Sequence, residues 1–225
     1  MKAGDNEMSS NKVNIICLLW KGNFRGRNYT DQDVCRLKKM VNRHIDQDYT
    51  FYCLTNDMKA DVPAEKIELV KNWPGWWSKV ELFRPDIPCG RTLYLDLDTY
   101  IVSSLKPILD FEGDLVMFPS PYGRKKKVNT EGKIVIQRYQ TGTMLFTPGK
   151  LTHVFRDFHK TVSLYMQTYR SEQDIYGEWL PNQPTFSARW LMKIGEYKKI
   201  GRTRENTIII TGNKDGEFRN LNIDQ

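Results

Sequence analysis

Histidine and cysteine are scarce in this chain, with three and four residues among 225. Cys17, Cys35, Cys53 and Cys89 form no C-x-x-C pair and have no histidine beside them, which argues against a zinc site or a disulfide framework. Long apolar runs are also missing. Val13–Trp20 falls far short of the ~20 residues needed to cross a bilayer. Met1–Lys12 is polar, lacks the apolar segment of a secretory signal, and reads as a flexible extension ahead of a single domain at 13–225. No internal repeat, linker or glycine-rich phosphate loop is visible. Hydrophobic residues at 40% and aromatics at 12% exclude a disordered tail. The expectation is a soluble, cytoplasmic α/β protein with a sizeable core; the sequence carries no signal of its oligomeric state.

What is present in excess is positive charge, and it is segregated. The net charge of +7 is concentrated in Trp20–Arg43, Arg124–Arg138 and Arg189–Arg204, each contributing +5, so that the remainder carries −8. Such patches point to an anionic ligand or partner, although a single patch is equally a solvated face.

Apolar periodicity orders the elements. Lys12–Trp20 and Tyr49–Thr55 read as strands buried on both faces, and Arg91–Leu95 as a third clear strand. Asp31–His44 has Val34, Leu37, Met40 and Val41 at helical spacing, with Thr30 or Asp31 as N-cap. Ile67–Val70 reads as a strand and Trp77–Phe83 as a short helix. Further on, Leu115–Pro119, Lys133–Arg138 and Thr143–Thr147 are strand-like, and Leu151–Arg170 carries a helical pattern. The alternation predicts a Rossmann-like, mostly parallel sheet flanked by helices. Ligands of such sheets sit at the carboxyl ends of the strands, here just after Trp20, Thr55 and Leu95.

The third of these ends is the most informative. Arg91-Thr92-Leu93-Tyr94-Leu95 is an apolar strand that stops at Asp96-Leu97-Asp98. In extended chain, residues i and i+2 project to one side, so the carboxylates would repel unless a cation relieved them. Mg²⁺ or Mn²⁺ bridged to a diphosphate does so, since both ions take carboxylate and phosphate oxygens. The plainer reading is an acidic turn in solvent.

The context of that pair, Trp77-Ser78-Lys79-Val80-Glu81-Leu82-Phe83 followed by the strand and Asp96-Leu97-Asp98-Thr99, resembles nucleotide-sugar glycosyltransferases of the GT-A fold. The likeness is to family 8, the glycogenin-like and lipopolysaccharide galactosyltransferase-like enzymes, and it runs from about Val13 to Phe218. It implies that Ile15–Trp20 and Asn28-Tyr29 receive the nucleoside, with Trp20 and Tyr29 in contact. Asp57, at the end of the second strand, would lie near the base, and Lys79 near the nucleotide sugar. Tyr139-Gln140-Thr141-Gly142-Thr143-Met144 is similar to the family's N-S-G strand entry, with Gln140 in place of Asn. Glu172-Gln173-Asp174 is similar to its D-Q segment, in which the acid meets sugar hydroxyls and the Gln faces the departing leaving group. Asp174 is a rival for the acid's role by charge alone. The closing H-G-x-x-K-P-W is matched by Ile210–Gly216, where Gly212 and Lys214 remain as diphosphate contacts. Thr211 replaces the histidine that completes the metal shell beside Asp96 and Asp98.

The resemblance implies transfer of a sugar from a UDP-linked donor with retention, assisted by Mn²⁺ or Mg²⁺, with Glu172, Gln173 and Gln140 as the catalytic candidates. The acceptor is expected to be anionic: DNA with modified bases, or a glycolipid core. For DNA, the loop Arg124–Lys127 would grip phosphate, and Trp73, Trp76 and Trp77 would hold an extruded base or else form a packed corner. A glycolipid calls for a basic amphipathic helix, for which Arg189–Arg204 is available, interrupted by Gly195 and Gly201. Two other classes compete: a non-catalytic basic nucleic-acid-binding domain, and a nucleotidyltransferase, which also uses paired aspartates.

Overall fold

The computed structural model describes residues 12–25, 28–120, 125–128, 132 and 134–212. Its central sheet grows from β1 (Val13–Leu19), an unbroken apolar strand with all seven residues buried. β1 pairs in parallel with β2 (Tyr49–Thr55) on one side and β4 (Thr92–Leu95) on the other. β3 (Glu65–Glu68) extends the parallel part outward. Beyond β4 lies the antiparallel β9 (Tyr139–Phe146), and then β6 (Leu115–Pro119), giving the order β3-β2-β1-β4-β9-β6. The sheet is thus mixed and mostly parallel, as the alternation of strands and helices predicts.

Each face of β1 feeds a different core. Ile15, Cys17 and Leu19 pack with Val34, Leu37, Met40 and Val41 of α1 (Asp31–His44), whereas Ile16 and Leu18 face the second core. That second core is covered by the 3₁₀ helix Gly75–Phe83 together with α3 (Thr152–Lys160) and α5 (Glu172–Trp179). Helix α1 begins at Thr30 in a reciprocal capping box, with the Thr30 amide donating to the Asp33 carboxylate at 2.9 Å. A short α2 (Lys106–Leu109) follows β5 (Thr99–Ile101). β5 leaves the main sheet to join β11 (Ile209–Thr211) and β10 (Leu191–Lys193) in a small second sheet. β7 (Lys125–Val128) and β8 (Ile134–Gln137) form an antiparallel pair.

Three expectations need correction. The helical pattern over Leu151–Arg170 is two helices, α3 and α4 (Val162–Thr168), because Thr161 between them has φ −139 and ψ 40, outside the helical range. Arg189–Arg204 is not one amphipathic helix: it contains a 3₁₀ turn, β10 and the seven-residue α6 (Ile194–Ile200), which ends at Gly201 in the left-handed region. The basic run at Lys125–Lys127 is strand rather than loop. Of the three tryptophans, Trp73 and Trp77 are core residues packed on Phe158, and Trp76 alone is half-exposed. The expected flexible extension, apart from Lys12, and the expected diphosphate contact Lys214 lie outside the described residues. No described helix is long and apolar enough to cross a membrane.

Candidate functional site

The site forms where β1, β2 and β4 end. After β4 the chain closes a tight turn, with the Thr99 amide donating to the Asp96 carbonyl at 3.1 Å. Asp96 and Asp98 therefore stand in a turn, not side by side on extended strand as their spacing predicts. The turn is fastened from both sides. Leu97 is buried, its carbonyl accepts from Arg36 of α1, the Asp96 amide donates to the Gly142 carbonyl at 2.8 Å, and the Gly212 amide donates to the Asp98 carbonyl at 2.9 Å. Gly142 makes this approach easy, since a Cβ there would lie 3.1 Å from Asp96 Oδ2 and the carboxylate would have to shift by a few tenths of an ångström.

Lys79 is the electrostatic centre. Its ammonium lies 2.9 Å from Asp96 and 3.3 Å from Glu172, and only 7% of its side chain is exposed. Burial would lower its pKa, but the charges of Asp96 and Glu172 outweigh burial and hold it above the ordinary lysine value. The buried Tyr94 hydroxyl also donates to Asp96, and Thr141 donates to Glu172 at 2.7 Å. Glu172 is 1% exposed. It therefore stands beside Lys79 as a counter-ion. Gln173, one residue on, is half-exposed and hydrogen-bonds Gln137 of β8. Asp174 turns back to accept the Arg170 amide at 3.3 Å.

A second cluster faces the same turn from the small sheet. Register aligns Lys193 of β10 with Thr211 of β11, and Thr211 with Thr99 of β5. Gln140, at the start of β9, ties this sheet to the main one: its amide donates to Thr211 Oγ1 at 3.1 Å and accepts from Lys193 Nζ at 2.9 Å. Both ends of its amide are thereby engaged, so Gln140 bridges the sheets. Lys193 also donates to Thr211 Oγ1 at 3.3 Å. Burial brings the Lys193 pKa down to about 8, against the opposing charges of Asp98 and Asp96.

These contacts test the expected divalent ion. A hydroxyl has two acceptor lone pairs, and those of Thr211 take N–H groups from Gln140 and Lys193. Asp96 is ion-paired to Lys79 and hydrogen-bonded by Tyr94. Among the described residues no three His, Cys, Asp or Glu side chains group as a metal site, and His44, His153 and His159 lie on α1 and α3. With a lysine ammonium 3.3 Å from the third ligand position, the residues as they stand do not fit a resident dication.

The nucleoside side is built by the loop after β1. Trp20, Lys21, Asn28, Tyr29 and Asp31 line an open cavity of ≈ 670 Å³. Asp57, just past the end of β2, is half-buried and holds Lys21 at 2.9 Å, while Asp31 holds the same ammonium at 2.7 Å. Trp20 donates to Asn72 at 2.8 Å, and Phe24 meets Trp76 edge-on at 4.6 Å. Trp20, Tyr29 and Trp76 also line a narrower cleft with Lys79 and Asp96. The loop whose Asn72 receives Trp20 rests on Glu81, whose buried carboxylate accepts the Val70, Lys71 and Asn72 amides at 2.8–3.0 Å and pairs with Arg84 at 2.9 Å. Nothing in the local sequence marks Glu81 beyond its place in the short helix. Lys193 had only its membership of a basic patch as a signal.

No family model matches the chain, and no curated protein matches it. Solved structures do. The galactosyltransferase LgtC, determined with donor and acceptor sugar analogues, superposes with a TM-score of 0.64 at 14% identity, over 94% of this chain and 92% of that one. The Streptococcus pneumoniae glycosyltransferase GlyE matches with a TM-score of 0.62 at 13% identity, over 88% of this chain and 54% of its own. The bifunctional glycosyltransferase WbbM matches with a TM-score of 0.57 at 13% identity, over 93% of this chain and 47% of its own. The chain spans about half of each of these last two proteins. The mixed sheet, its flanking helices and the extent of the superposition make this an LgtC-like GT-A fold.

Proposed function

We propose that the chain is a glycosyltransferase that moves a sugar from a nucleoside diphosphate donor, UDP-linked in the first instance, to an acceptor hydroxyl. The observation that carries this reading is the buried Lys79, held between Asp96 and Glu172 at the carboxyl end of β4 in an LgtC-like fold. A fixed ammonium at that place is suited to the charge that builds on a departing diphosphate, and a preorganised cation needs no reorganisation as the bond breaks. The cavity between Trp20, Tyr29 and Asp31 offers aromatic and polar contacts for the nucleoside. Retention of configuration belongs to the same reading through the family resemblance. Glu172 lies behind Lys79 and Thr141, which argues against its use as a nucleophile and favours a front-face route.

The acceptor in this reading is anionic. β8 runs beside α5, joined by the Gln137–Gln173 hydrogen bond and by Arg138 donating to the Gly177 carbonyl at 3.0 Å. β8 pairs in turn with β7, whose sequence carries Lys125, Lys126 and Lys127.

The test is a panel of nucleotide sugars read by thermal unfolding, followed by release of nucleoside diphosphate from the best donor. A ligand that binds only the folded chain raises the melting temperature with its concentration. At least one nucleoside diphosphate sugar is expected to do so and to be turned over. A flat response to the whole panel would overturn the assignment.

A further inference from the structure

Resting on the nucleotide-sugar reading above, we propose that Lys193 takes the place of the divalent cation, so that the donor diphosphate is held by two fixed ammoniums, Lys79 and Lys193. The transferase then works without a resident metal.

Four observations converge on this. The register β10–β11–β5 brings Lys193 level with Thr211 and Thr211 level with Thr99, the residue after Asp98, and the charges of Asp98 and Asp96 act on the lysine. The ammonium is held at 2.9 Å by Gln140 and 3.3 Å by Thr211, so its position is set by two different strands. Both of those partners are neutral. The charges of Asp98 and Asp96 act on this ammonium without offsetting its burial, and a diphosphate supplies the further negative charge. Finally, Thr211 stands where the resemblance calls for an imidazole ligand, and its hydroxyl is already filled by N–H donors. Lys193 and the loss of that imidazole therefore belong to one substitution of chemistry: a point charge on a strand replaces an ion in a shell.

In the transfer step, the bond between the anomeric carbon and the β-phosphate oxygen breaks, and its electron pair stays on that oxygen. The acceptor oxygen bonds to the anomeric carbon, and the acceptor proton passes to the released diphosphate. Lys79 and Lys193 meet the charge on the leaving diphosphate; no oxidant or further reactant is needed.

The experiment is calorimetric titration of UDP into the full chain, once with EDTA and once with Mn²⁺. Wild type is expected to bind with the same affinity in the two arms, to within about twofold, and Lys193→Met to bind at least about tenfold more weakly in EDTA. Lys193→Arg should keep most of the affinity, because it keeps the charge. A thermal melt of each variant checks its fold, and Lys193→Gln, which retains hydrogen bonding to Gln140 and Thr211, replaces Lys193→Met if that variant does not fold. Binding that requires Mn²⁺ would overturn the proposal while leaving the nucleotide-sugar reading intact. Unchanged affinity in the charge-removing variant would do the same. If neither UDP nor any other nucleoside diphosphate binds in either arm, the nucleotide-sugar reading fails and this proposal with it.

Discussion

Lys79 joins stability to function more tightly than any other described residue. Replacing it with Met leaves the Glu172 carboxylate, 1% exposed, without a cation, and leaves Asp96 with only the Tyr94 hydroxyl and backbone around it. Removing one partner of a buried ion pair costs about 3–5 kcal/mol, because the remaining charge stays desolvated. Lys79→Met is therefore expected to lower the urea unfolding free energy by about that amount and to abolish donor turnover. In the background of Glu172→Gln, which removes the stranded charge but keeps an acceptor for Thr141, the same change should cost clearly less. An equal cost in both backgrounds would mean that Lys79 is not Glu172's counter-ion. Asp96, Lys79 and Thr141 could be singled out from the sequence because each lies at a strand end or in a short string that resembles a known site. Lys193 could not. It reaches Gln140 across 53 residues and Thr211 across 18, and only strand register brings them together.

Among the elements, α5 positions the acid and amide of the site, and it does so by lying close against β8. A Cβ on Gly177 would stand 2.4 Å from the Ile136 carbonyl oxygen, a backbone atom that cannot rotate aside. Gly177→Ala must therefore push α5 away from β8, disturbing the Gln137–Gln173 and Arg138–Gly177 hydrogen bonds. Forcing an extra methyl into such a close approach costs about 1–3 kcal/mol, seen as a lower melting temperature. Turnover should fall further than the folded fraction alone explains, since Glu172 and Gln173 begin the displaced helix. A variant with wild-type melting temperature and turnover would show that α5 has slack against the hairpin. The buried strands and α1 were readable because their apolar patterns are long and regular, and α1 occupies Asp31–His44 as its periodicity predicts. The small sheet was not. β10, β11 and β5 have three residues each, too few for a period to register, and their pairing is entirely long-range.

At the scale of the whole molecule, each of the three basic segments has a part beside an element of the candidate site. Trp20–Arg43 begins in the loop beside the nucleoside cavity, Lys193 of the third segment reaches Gln140, and β8 of the second lies against α5. With the rest of the chain at −8, charge is segregated along the sequence, and basic groups near a site draw in anions and speed their encounter. In the proposed reading Lys79 and Lys193 meet the donor phosphates, which leaves the lysines of β7 for the acceptor. Changing Lys125, Lys126 and Lys127 together to Gln is thus expected to weaken binding of an oligonucleotide probe and to flatten its log–log salt dependence by about 0.7–0.9 for each phosphate that is no longer neutralised. Donor hydrolysis without acceptor should continue at the wild-type rate, because no part of the Lys79–Asp96–Glu172 cluster is altered. An equal fall in hydrolysis and binding would place the hairpin in the catalytic centre. If the oligonucleotide binds as before, with its salt slope unchanged, the charge on β7 is a solvated face and a nucleic-acid acceptor loses its support. Parallel titration with vesicles of an anionic glycolipid then separates the remaining acceptor class, since only binding that the three substitutions weaken assigns β7 to it.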